Sequence, residues 1–116
     1  MIVGTVNNSN EAIIRLLVRG PEGFEREIEA IIDTGFSGSL SLPSSIIAAL
    51  GLSFRRIGRA ILADGKERLF NIYEAIVEWD GKPRRIGVHA ADTDPLVGMN
   101  LFYGFELTMQ VIKTAA

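Results

Sequence analysis

A chain of 116 residues with 47% hydrophobic residues has room for one domain with its own core and too little for two. Twelve basic against fourteen acidic residues leave a net charge of −2. The one-signed basic face that nucleic acid requires is therefore missing, and Arg55-Arg56 with Arg59 reads as a short cluster on a mixed surface. The lack of cysteine excludes disulfides and thiolate metal sites, and no apolar stretch approaches the ~20 residues that span a bilayer.

The chain opens on Met1-Ile2-Val3-Gly4-Thr5-Val6-Asn7, which has no basic region followed by an apolar run. No signal peptide is read there, and the cytoplasm is the expected location. Asn7-Asn8-Ser9-Asn10 and Gly20-Pro21-Glu22-Gly23 are turn clusters. Between them Ile14, Leu16 and Val18 alternate with Arg15 and Arg19. After them Phe24, Ile28, Ala30 and Ile32 share a face against Glu25, Glu27 and Glu29, with Arg26 out of pattern. Leu42 to Gly51 has the serine–proline start and glycine stop of a short helix. Asp64-Gly65 and Asp80-Gly81 are dipeptides of tight type I′ hairpins, in which both central residues need positive φ. Ile86, Val88 and Ala90 alternate with Arg85 and His89. A second short helix fits Met99 to Gly104. Strands are expected near 1–6, 12–20, 24–32, 55–63, 66–79, 83–90, 96–98 and 106–112. The fold class is all-β: a single domain over 1–116, built as a small closed antiparallel barrel with one or two short helices.

One segment carries chemistry: Ala30-Ile31-Ile32-Asp33-Thr34-Gly35-Phe36-Ser37-Gly38-Ser39-Leu40. A hydrophobic strand runs into Asp-Thr-Gly, then into a loop of small residues. The tripeptide alone is also what an aspartate capping a turn would leave. A second element, Leu96-Val97-Gly98, stands near the C-terminus and is followed by Met99-Asn100-Leu101-Phe102-Tyr103-Gly104.

In this order and spacing the two elements resemble the aspartic proteases, in particular the single-lobe, retroviral-protease-like (retropepsin-type) branch. The resemblance runs over essentially the whole chain. It implies an aspartic endopeptidase in which Asp33 is catalytic. Thr34 and Gly35 complete its loop: the Thr34 hydroxyl bonds across a twofold axis, and Gly35 permits the tight turn. Only one Asp-Thr-Gly is present and no second lobe fits, so the resemblance implies a homodimer in which two Asp33 carboxylates act together on a peptide. It also implies a flap over the substrate, whose tip falls at Ala63, Asp64 and Gly65. Three positions depart from the family pattern. Phe36 follows the triplet where a small or hydroxyl residue is usual, Met99-Asn100 stands where an arginine supports the dimer, and Asp64 and Lys66 replace a glycine-rich tip.

Other candidates carry less. His89 is the one histidine, so a metal site lacks a second imidazole, and a triad would need a serine partner that the sequence does not place beside it. It reads as a solvated residue on a polar strand face. Gly35-Phe36-Ser37-Gly38-Ser39 lacks the lysine and spacing of a phosphate loop. Trp79 reads as a cross-strand packing residue. No metal or cofactor is called for; the partners expected are a peptide or protein substrate and a second copy of the chain, with no nucleic acid and no membrane. Two alternatives stand beside the enzyme. One is the same fold used for dimerisation or peptide binding without catalysis. The other is a monomeric barrel that binds a ligand while Asp33 caps a turn.

Overall fold

The computed structural model describes residues 1–112. It is all-β, with eight strands in one sheet: β1 (Thr5–Val6), β2 (Ala12–Arg19), β3 (Glu25–Ile32), β4 (Leu40–Leu42), β5 (Ser53–Ile61), β6 (Glu67–Trp79), β7 (Lys82–Ala90) and β8 (Leu96–Val97). A short helix, α1 (Ser44–Ala49), follows β4, and a 3₁₀ turn spans Met99–Phe102.

The strands lie in the order β1-β2-β3-β8-β4-β7-β6-β5, and β2 also pairs with β6. That second pairing is limited to Val18↔Val77 and Arg19↔Ile76. It brings the curled sheet back on itself, which is as far as the expected barrel goes. Two of the pairings, β3 with β8 and β4 with β7, are parallel, so the sheet is not purely antiparallel.

The alternation read from the sequence sorts side chains as expected along β2, where Ile14, Leu16 and Val18 are buried. On β3 Ile28 and Ala30 are buried, whereas Phe24 precedes the strand and is exposed. Facing residues Val77 and Val88 complete the core with Leu40, Leu42, Val97 and Leu101. Trp79 is buried too, but against the 3₁₀ turn and the chain just after it: its ring meets Phe102 at 5.5 Å and Phe105 at 5.9 Å, both edge-on.

Several boundaries differ from the sequence reading. β1 is two residues long and not six. β4 was not expected: it spans Leu40–Leu42, where the loop of small residues gives way to the helix read from Leu42. Residues 106–112 alternate like a strand but form no strand pairing with the other described residues. A strand needs a neighbour to satisfy its backbone. The two Asp-Gly turns also differ from each other. At Asp80-Gly81 both residues have positive φ, 53° and 80°, as a type I′ turn demands. At Asp64-Gly65 only Gly65 does, with φ 81°. There Gly65 N–H donates to Leu62 O, so a β-turn over 62–65 ends in a left-handed glycine, giving a longer, looser tip.

Among the described residues no helix is long and apolar enough to cross a membrane.

Candidate active site

Asp33 is the first residue beyond β3, and β8 fixes it there. β3 and β8 run in parallel register, Ile31↔Leu96 and Ile32↔Val97, and the Asp33 N–H continues the ladder with a 2.9 Å bond to Val97 O. The chain then turns: Phe36 N–H donates to Asp33 O, and Gly35 N–H donates to Asp33 Oδ1 at 2.9 Å. One carboxylate oxygen is thus oriented by the backbone of its own motif. A Cβ on Gly35 would lie 3.3 Å from that same oxygen, so glycine keeps the carboxylate uncrowded. Thr34 is exposed and Asp33 half-buried.

Residues 97–100 hold the rest of the loop. Gly98 N–H donates to Ser39 O, Met99 N–H to Phe36 O, and Asn100 N–H to Gly38 O, at 2.8–3.1 Å. The Asn100 side chain adds Nδ2–H···Oγ of Ser39 at 2.7 Å, and Ser39 is buried. The approach is so close that a Cβ on Gly98 would stand 2.1 Å from Gly38 O. The second motif therefore exists to clamp the first. Asn100, which differs from the arginine of the family pattern, serves this clamp within its own chain.

The remaining residues expected at the site lie on a hairpin. β5 and β6 pair from Ser53↔Glu74 to Ile61↔Glu67 with an irregularity between Phe54 and Arg56, and their tip carries Ala63, Asp64 and Gly65. Asp64 Oδ1 accepts the Lys66 N–H, which shapes the tip. β7 accompanies β6 only as far as Ile72↔His89. Beyond that rung the hairpin is two-stranded. Its residues Ile57, Ile61, Leu62 and Leu69 are exposed.

Two residues have surroundings that the sequence did not suggest. His89 is half-buried and not solvated, with its ring 5.0 Å from Phe36 and 4.6 Å from Phe70. Burial, and secondarily the Arg56 charge, hold its pKa below the ordinary histidine value. Phe36 lies over Gly38 and Gly98, filling the room that their missing side chains leave. A large residue after Asp-Thr-Gly matched by two glycines was the available signal.

Among the described residues no group of three or more His, Cys, Asp or Glu side chains is placed to hold a metal.

Solved structures share this fold. The chain is similar to the EIAV protease complexed with the inhibitor HBY-793, at a TM-score of 0.63 and 16% identity, over 90% of this chain and 99% of that one. It is also similar to a retropepsin-like aspartic protease from Rickettsia conorii, at a TM-score of 0.59 and 21% identity, over 91% and 77% of the respective chains. No family model and no curated protein matches the sequence. The fold is that of the single-lobe, retropepsin-like aspartic proteases.

Proposed function

We propose that the chain is an aspartic endopeptidase that acts as a homodimer and hydrolyses peptide bonds with two Asp33 carboxylates, one from each subunit. The observation that carries this reading is Asp33 itself. It is the one carboxylate of a loop clamped by a second motif, in a fold similar to that of aspartic proteases. In aspartic proteases two such carboxylates, about 3 Å apart, share one proton because like charges that close cannot both ionise. The ionised one takes a proton from a water, and the protonated one donates to the carbonyl oxygen of the scissile bond. One chain supplies half of this pair.

A twofold partner is supported by the surface around the termini. Phe105, Leu107, Met109, Val111 and Ile112 are exposed along an unpaired segment with strand alternation, and Met1 and Val3 are exposed opposite them. All but Val111 border a groove of about 920 Å³ that is also lined by Ile32, Trp79 and Phe102. An apolar patch of that kind, along a segment that is unpaired among the described residues, fits a second copy. The exposed apolar side chains of the β5–β6 hairpin suit a flap that covers an extended peptide and excludes water.

The test is a peptide-library digest with wild-type protein and Asp33→Asn. Cleavage lost in the variant, with its cooperative melting kept, is the expected result, because the carboxamide is nearly isosteric. Equal cleavage by both would end the catalytic assignment. Binding of peptide without cleavage by the wild type would favour the non-catalytic module.

A further inference from the structure

The hairpin leaves the sheet at one rung. β6 has both β5 and β7 as neighbours only over Ile72–Glu74, and from Asn71 to Glu67 it pairs with β5 alone. A two-stranded hairpin is marginally stable by itself, so its position depends on what grips its base. At that base stands His89, the β7 partner of Ile72 in the last three-stranded rung. Its imidazole has Phe70 of β6 on one side, tilted by 32° at 4.6 Å. On the other it has Phe36 of the Asp33 loop, edge-on at 72° and 5.0 Å. Phe70 is in turn seated on Gly58 of β5, where a Cβ would come within 2.5 Å of its ring. Phe36 is seated on Gly38 and Gly98. Glycine on both flanks makes room for the rings.

We propose that His89 is a positioning residue: with Phe36 and Phe70 it forms an aromatic brace that sets the β5–β6 hairpin relative to the Asp33 loop. The proposal rests on reading that hairpin as the flap of a protease. The contact itself is independent of catalysis. Nothing in the sequence places residues 36, 70 and 89 together, and the brace differs from the clamp of residues 97–100, which holds the loop without touching the hairpin. Each aromatic contact adds to the stability of the hairpin base beyond simple burial. With the imidazole removed, the hairpin keeps its ladder to β5 and loses its fixed angle.

Amide hydrogen exchange of residues 57–71 reads this directly, at matched protein concentration and with melting curves as a fold control. His89→Ala is expected to speed exchange across the hairpin by about tenfold, while β2, β3 and β7 stay protected. His89→Phe, which keeps a flat ring, is expected to restore near-wild-type protection. Gly58→Ala, which pushes Phe70 from its seat without altering His89, should reproduce the loosening, and so should Phe70→Ala. On a cleaved peptide His89→Ala should change KM and kcat together, as displaced hinges do. Unchanged hairpin exchange in His89→Ala would overturn the brace. So would a rise spread evenly over hairpin and core, since that marks general destabilisation. If wild-type protein cleaves no peptide, the protease reading falls and the exchange data still decide the brace.

Discussion

Residues 33–39 are gripped from a second segment of chain, whereas residues 57–71 hold on to each other. In the first region successive backbone groups meet residues 97–100, a buried serine is bonded by Asn100, and glycine permits an approach that no other residue allows. In the second, ladder bonds run between two strands only, apolar side chains face outward, and the ion pair Arg59–Glu67 at 2.8 Å lies on the surface. Such exposed pairs add little, roughly 0–1 kcal/mol. The contrast separates two jobs. On the proposed function, a carboxylate meant to meet another at close range must be held still, while a cover must open and shut. The proposed function is thus distributed by restraint, with the aromatic brace of His89 linking the two regions.

The contrast can be broken hardest at Gly98. Gly98→Ala drives a methyl group into Gly38 O, a backbone atom that cannot step aside, and should cost about 3 kcal/mol or more. Denaturant unfolding checks it; a loss below that of Gly65→Ala would mean the clamp is soft. Asn100→Ala comes next. It leaves the buried Ser39 hydroxyl without its donor and should cost about 1–3 kcal/mol, again by unfolding. Gly65→Ala, by contrast, meets open space and suffers only from its φ of 81°. It should cost about 1 kcal/mol, felt in exchange at the tip far more than in the melting of the whole domain.

A smaller effect is expected from pH. Burial and Arg56 hold His89 below the ordinary value of 6.5, so the unfolded chain takes up a proton at higher pH than the folded one. The stability linked to His89 is complete above about pH 6.5 and declines as pH falls through the lowered folded value. Around the ring, β4 and β6 offer the uncharged Ser41, Phe70 and Ile72, and the loop has Asp33 as its one charged side chain. Glu74 of β6 is engaged by Arg55 and Arg85. Melting curves of wild type and His89→Phe should therefore diverge as pH drops below 6.5, the variant losing less. Parallel curves would deny His89 that role.

Much of this was legible in the sequence where the physics is local. Alternation along β2 and around Ile86–Val88, the helix start at Pro43-Ser44, and the loop of small residues after Asp33 all follow from period, caps and chain flexibility. The closeness of Gly98 to Gly38 was not legible, since sixty residues separate them. β4 was missed because three residues are too short to show alternation and adjoin a helix start. The strand expected at 106–112 is not formed, because alternation alone does not supply the neighbour that pairing needs. His89 misled most. Its alternation with Val88 placed it off the core, but Phe36 and Phe70 cover that face, and neither lies near it in sequence.

The central claim, a site shared between two chains, is tested most directly by mixing. Wild-type and Asp33→Asn protein are unfolded together at several ratios, refolded, and assayed at fixed total protein, with dimer content followed by mass. A twofold interface pairs subunits without regard to that side chain, so an equal mixture leaves about a quarter of dimers with both carboxylates. Activity should fall with the square of the wild-type fraction. A straight line, with half of the activity left at the equal mixture, would contradict the shared site.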